Sequence, residues 1–134
     1  MSDRCHIDFD LHIAVDQAQE TERGASSIGT TKRGIGPAYA SMATRSGITI
    51  AQMLNEEMFE KRLRKLADGY RKRYGDVLVY DVEDEIERFK GYREKLRPFV
   101  VEGVMFMSDA QTRNSEILVE GSQGNPNPIA NLCP

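Results

Sequence analysis

The stretch Ser27-Ile28-Gly29-Thr30-Thr31-Lys32-Arg33-Gly34-Ile35-Gly36-Pro37 puts three glycines, two adjacent hydroxyls and two adjacent cations on one short loop. That set of groups suits an anion. Glycine lets backbone N–H groups approach a ligand with no Cβ in the way, while threonine hydroxyls and Lys/Arg head groups add donors that a carboxylate or phosphate accepts. Pro37 reads as the first residue of a helix, where its missing N–H costs nothing and its fixed φ already fits the turn. The loop then runs into a helix N-terminus, whose free N–H groups and positive dipole end also favour phosphate. It is neither the Gly-Lys-Ser/Thr loop of common nucleotidases nor a Gly-x-Gly-x-x-Gly placed after a strand. On composition alone, such a loop is more often a plain connection than a ligand cradle.

Upstream, Ile7, Leu11, Ala14 or Val15 and Ala18 recur at helical spacing, which predicts a helix from about Ile7 to Glu22 ended by Gly24. His6 and His12 do not share a face as an i, i+4 ligand pair does, so they read as ordinary surface or half-buried histidines. Asp8, Asp10 and Asp16, spread around that helix, read as its solvated face rather than as a metal site. Downstream, Pro37 to Arg45 is rich in alanine and closed by Ser46-Gly47, a good C-terminal stop. Arg45 then lies roughly 12 Å along the helix from its start, too far to serve the anion its own loop holds. From the residues alone, a cation complementing the helix dipole and an arginine serving a ligand are equally good readings.

Thr49 is placed to cap a short helix over Ile50 to Leu54. Phe59, Leu63, Leu66, Tyr70 and Tyr74 follow at steps of three and four, the mark of a long amphipathic helix. Its many cations are interleaved with Glu56, Glu57, Glu60 and Asp68, so the face reads as solvated and not as a nucleic-acid surface. Gly75-Asp76 makes a turn, Val77 to Tyr80 reads as extended, and Val82, Ile86, Phe89 and Leu96 mark a further helix ended by Pro98. The two long helices read as an antiparallel pair. Phe99 to Met107 is apolar without a clear period, so strand and buried loop stay open there; Ser108 or Asp109 is placed to cap a helical turn reaching Arg113. Ile117-Leu118-Val119 reads as a short buried strand delivering Glu120, Ser122 and Gln123 to its C-terminal end.

The 134 residues allow one domain with a core, or one piece of a larger unit, and a net charge of −3 gives no overall attraction to nucleic acid or an anionic membrane. Two cysteines far apart, Cys5 and Cys133, indicate neither a disulfide scaffold nor a metal knuckle. With no signal peptide before Ser2 and no long apolar run, a cytoplasmic, membrane-free chain is expected.

The central stretch resembles the G-T-T-x-[KR]-G-I-G-P segment of the adenylosuccinate synthase family, which joins aspartate to inosine monophosphate using GTP. The similarity continues through Phe9-Asp10-Leu11-His12, Ala14-Val15-Asp16, Arg97 to Val101 and Ile117 to Gly121, in order, up to about Gly124. It implies an α/β fold class, the chain being a mostly helical internal portion of a P-loop-like α/β ligase with one or two core strands. Residues 1–124 would form the synthase-like segment. Residues 125–134, rich in proline and asparagine and unlike the family pattern, would form a divergent tail without regular structure. The resemblance implies that Thr31 holds the nucleotide phosphate, that Gln123, in an E-G-[AS]-[NQ]-[AG] pattern, contacts inosine monophosphate, and that Arg45 reaches the nucleotide of a homodimer partner. Gly29, Thr30, Lys32, Arg33 and Gly34 form the supporting phosphate loop. The family uses GTP and Mg2+, but its glycine-rich phosphate loop, catalytic residues, magnesium ligands and guanine-reading segment are not in this chain. No catalytic or metal-binding residue is therefore assigned, and the chain alone is expected to be inactive. Two rival readings are a non-catalytic helical module that dimerises with a full-length synthase through Pro37 to Arg45, and a truncated product without function.

Overall fold

The structure is a computed structural model that describes residues 1–26, 29 and 31–120. Met1–Gly103 form one compact unit and Val104–Pro134 a second. Thr30, Gln123 and the tail at 125–134 lie outside the described residues.

The first unit is built on helices α1 (Asp10–Arg23), α2 (Ile35–Ala43), α3 (Ile50–Met53), α4 (Glu56–Tyr74) and α5 (Val82–Leu96). Three of these starts have a local cause. Thr49 and Gln52 cap α3 reciprocally: the Gln52 N–H donates to Thr49 Oγ1 at 3.4 Å and the Thr49 N–H to Gln52 Oε1 at 3.1 Å. Asn55 Oδ1 accepts the Met58 N–H at 2.9 Å to start α4, and Asp81 Oδ1 accepts the Glu83 N–H at 2.8 Å to start α5. The two long helices are antiparallel, as expected. Arg64 holds Glu83 across them near the turn, while Arg93 meets Glu56 at the far end.

The periodic apolar residues face one core. Phe59, Leu63, Leu66 and Ala67 of α4 meet Ile86 and Phe89 of α5 and Leu11 and Val15 of α1. Phe9, Phe59 and Phe89 form an aromatic centre with centroids 5.2 to 6.1 Å apart, the separation at which tilted rings attract. Each such side chain, fully buried, stabilises the fold by about 1.5–3 kcal/mol.

Several boundaries differ from the sequence reading. The first helix begins at Asp10 and not at Ile7, because the preceding residues are extended and stitched to two neighbours. The Ile7 N–H donates to the Ile48 carbonyl, the Ile50 N–H to Cys5, and the Asp3 N–H to Val101, each at 2.9–3.0 Å. Phe9 supplies no side-chain cap for α1. Glu85 of α5 does that work from a distance, its carboxylate accepting the Asp10 N–H at 3.2 Å and the Leu11 N–H at 3.4 Å.

Pro37 is not the first residue of α2. The helix starts at Ile35, two residues earlier, with Gly34 as N-cap. Pro37 still lies within the first turn, where no intrahelical partner exists for its missing N–H. Of the stretch read as extended, Val77 closes a 3-10 turn over Gly75–Val77, Leu78 has an extended backbone, and residues 78–80 make no ladder.

The second unit holds the bulk of α6 (Gly103–Thr112) and residues 115–120, which have no regular structure. Phe99 to Met107 is thus neither strand nor buried loop: it ends a 3-10 turn at Phe99 and enters α6 at Gly103. Neither Ser108 nor Asp109 caps this helix, since both lie inside it. Leu118 and Val119 are exposed, and Ile117 to Val119 form no ladder. A strand needs a neighbour to take its N–H and C=O groups, and this run has none among the described residues. No strand occurs among the described residues, only two isolated bridges, Ser2 with Val101 and His6 with Thr49. The described chain is a mostly helical portion of an α/β protein. No described helix is long and apolar enough to cross a membrane.

Candidate functional site

The loop from Gly29 to Gly34 leaves α1 and enters α2. Three of its residues have left-handed backbones: Gly29 (φ 72°), Lys32 (φ 53°) and Gly34 (φ 79°). The chain therefore curls tightly and then turns directly into the helix. Gly34 is required there for a second reason. A Cβ on it would lie 2.8 Å from the backbone of His12 and Ile13 and from Asp8 Oδ1, so the loop end rests directly on α1.

Two carboxylates of α1 tie the loop down. Glu20 Oε2 accepts the Gly29 N–H at 3.1 Å, and Asp16 Oδ2 accepts the Gly34 N–H at 3.3 Å. Both side chains are buried although both are acidic, which is sustainable only where N–H donors meet them. Hydrogen bonds to an ionised acceptor are about twice as strong as neutral ones. The placement of Asp16 on a solvated face is therefore corrected. The missed signal is the run His12, Asp16, Glu20, three polar residues at i, i+4 spacing along the stripe that faces α2 and its loop.

The tip between the ties is open: Thr31, Lys32 and Arg33 are all exposed. The hydroxyl of Thr31 and the two cations are thus presented together, next to the start of α2, where the Ile35 and Gly36 N–H groups have no partner within the helix. Arg45 is not brought to this tip. It lies at the other end of α2, about 12 Å along the helix, and lines a separate groove. That groove, of about 1090 Å³, runs between the end of α2 and the flank of α4, with Thr44, Arg45, Lys61, Lys65, Tyr70 and Arg73 among its lining residues. Arg45 has φ 60° immediately after the helix C-cap, a conformation that favours glycine.

Beneath α2 lies a buried polar chain. His12, wholly buried, accepts the Phe9 N–H at Nδ1 (3.0 Å), so its Nε2 carries the proton and donates to Ser41 Oγ at 3.1 Å. Ser41 Oγ is in turn 2.9 Å from the Tyr70 hydroxyl. His12 is not the surface or half-buried histidine expected from the sequence. Burial lowers its pKa to about 4 and keeps the ring neutral. Asp8 Oδ1 lies 3.3 Å from Nδ1, but a neutral ring accepting at that nitrogen makes no ion pair with a carboxylate. Burial, and then the charges of Asp10, Asp16 and Glu85, push Asp8 up to about 6.

Among the described residues, no three His, Cys, Asp or Glu side chains converge as metal ligands do.

A family model described as adenylosuccinate synthetase matches residues 1–129. The adenylosuccinate synthetase of Sordaria macrospora is 57% identical over 122 residues, which are 91% of this chain and 28% of that protein. The same enzyme of Mycosarcoma maydis is 49% identical over the same share of the chain. A solved structure of fully ligated adenylosuccinate synthetase from Plasmodium falciparum is similar with a TM-score of 0.82 and 39% identity, over 90% of this chain and 28% of its own length. The chain spans little more than a quarter of the length of these relatives.

Proposed function

Since the chain belongs to the adenylosuccinate synthetase family, we propose that its Gly29–Gly34 loop is the phosphate-binding wall for inosine monophosphate. The whole protein would ligate aspartate to that nucleotide with GTP and Mg2+ in AMP biosynthesis, as a cytoplasmic homodimer. The observation that carries the reading is the open tip of Thr31, Lys32 and Arg33, held on α1 at both ends and set against the start of α2.

In this reading the Thr31 hydroxyl and N–H donate to the nucleotide phosphate, with Thr30 beside it. Lys32 and Arg33 lower the potential energy of a dianion at the tip, and Gln123 contacts the nucleotide. Arg45, at the remote end of α2, serves the partner subunit's nucleotide. GTP contributes the phosphoryl group that activates the 6-oxygen for displacement by aspartate, with magnesium bound outside the described residues. In this reading the chain supplies nucleotide positioning, and because it spans little more than a quarter of its relatives' length, ligase turnover by the chain alone is expected to be nil.

The reading is tested by titrating inosine monophosphate into the chain and following the loop amides by NMR. Wild type is expected to bind, and Thr31→Ala to bind at least tenfold more weakly. Equal affinity of the two proteins removes the assignment of Thr31.

A further inference from the structure

We infer that Asp16 and Glu20 are the positioning residues of this loop, and that they engage the N–H groups of Gly29 and Gly34, which leaves Thr31, Lys32 and Arg33 as the described loop residues open to the phosphate. The inference rests on the phosphate reading above and goes past it. Sequence reasoning gives the glycines to the ligand, because a glycine N–H is the easiest to approach. The geometry gives them to the protein. The N–H groups of Gly29 and Gly34, at the two ends of the loop, both point at buried carboxylates of α1, at 3.1 and 3.3 Å.

The two acceptors are one helical turn apart on α1, about 6 Å along its axis. The loop ends are therefore fixed at a spacing set by a rigid element, and of the residues between them Thr31, Lys32 and Arg33 are exposed. Gly29, Lys32 and Gly34 have the left-handed backbones that turn the chain there. An anion approaching the tip meets the side chains and N–H groups of Thr31, Lys32 and Arg33, while the end donors stay with α1. The same arrangement explains why two acidic side chains next to an anion site do not defeat it. Glu20 is met by the Arg23 guanidinium at 2.7 Å as well as by the Gly29 N–H, Asp16 accepts the Gly34 N–H, and the cations Lys32 and Arg33 stand exposed at the tip.

Ordering a six-residue loop in the binding shape is a cost that a ligand otherwise bears, and pre-fixing both ends removes most of it. Losing the ties should therefore weaken binding while leaving the helical core intact. The test uses the full 134-residue chain, 15N-labelled and titrated with inosine monophosphate and, separately, with inorganic phosphate. In wild type, the Thr31, Lys32 and Arg33 amides are expected to move and the Gly29 and Gly34 amides to stay near their starting shifts. Asp16→Ala with Glu20→Ala is expected to weaken nucleotide binding at least tenfold with an unchanged cooperative melt, whereas Asp16→Asn with Glu20→Gln, which keep an acceptor oxygen, stay within about threefold of wild type. If the double alanine variant does not melt cooperatively, the two single alanine variants decide the same comparison. Wild-type affinity in the alanine variants, or the largest shifts at Gly29 and Gly34, overturns this inference alone. A wild-type chain whose loop amides respond to neither probe overturns the phosphate reading and this inference with it.

Discussion

His12 on α1 donates its Nε2–H to Ser41 Oγ on α2 at 3.1 Å, and both side chains are buried. The pair fixes the helix that carries the loop to the helix that anchors it. Tyr70 extends the contact to α4. Ser41→Ala removes the acceptor and leaves a buried N–H with no partner at the same position, which costs about 1–3 kcal/mol. Urea unfolding of Ser41→Ala is expected to show that loss with an unchanged slope. A midpoint equal to wild type would mean that the chain contributes nothing to docking α2.

The same histidine and its neighbour Asp8 make opposite pH demands. With a folded pKa of about 4 against 6.5 when unfolded, His12 contributes stability that is present above about pH 6.5 and is lost as pH falls towards 4. Its full extent is about 3 kcal/mol. Asp8, with a folded pKa of about 6 against 3.8, contributes stability present below 3.8 that is lost as pH rises through 6. Its side chain is partly exposed, so solvent reduces that contribution. Between pH 4 and 6 the two slopes oppose each other, and wild type should lose less on acidification than His12 alone would cause. Asp8→Asn removes one of them: stability at pH 7 should rise, and its decline on acidification should steepen. Denaturant midpoints at pH 7, 5.5 and 4.5 check this, and parallel profiles for the two proteins would refute it.

Gly34 and Gly29 separate two costs that a sequence cannot distinguish. Both have positive φ, but a Cβ on Gly29 meets nothing within 4 Å, while one on Gly34 meets α1 backbone at 2.8 Å. Gly29→Ala is expected to cost about 1 kcal/mol, the conformational penalty alone. Gly34→Ala must also push the loop off α1, and the loss should exceed about 3 kcal/mol. Thermal melts of the two variants should therefore differ by several degrees. Equal shifts would show that the loop end does not rest on α1.

What was legible in the sequence follows from which contacts are local. The α4 and α5 repeats, the Thr49 cap and the stop at Gly24 depend on residues within a turn or two of each other, and the expected elements appear. Asp16, Glu20, His12 and Glu85 were unreadable because their partners are remote or lie on other elements: a loop N–H eighteen residues on for Asp16, a serine on α2 for His12, and the first turn of α1 for Glu85. Read alone, a polar residue on an amphipathic helix goes to solvent. Each of these is buried, because a backbone or hydroxyl partner from elsewhere makes burial tolerable. The apolar run from Phe99 to Met107 misled for a related reason. Its mixed composition fixes no period, and α6 begins inside it, at Gly103.

Arg45 gives the last prediction, because its backbone and its side chain ask for different residues. Its φ of 60°, immediately after the C-cap of α2, is the conformation in which glycine is favoured over any side chain, by about 1 kcal/mol. Its backbone makes the expected turn bond, the N–H donating to the Met42 carbonyl at 3.0 Å, and nothing in that bond requires arginine. The side chain is exposed beside the groove on α4. That combination directs the test to the head group. Arg45→Gly is therefore expected to melt at or above the wild-type temperature and, if the proposed cross-subunit role holds, to weaken nucleotide binding. Affinity for inosine monophosphate should be unchanged in dilute monomer and at least tenfold weaker at concentrations where wild type self-associates. A lower melting temperature would show that Arg45 supports the fold itself, and undiminished affinity in the associated state would assign the nucleotide contact to another residue.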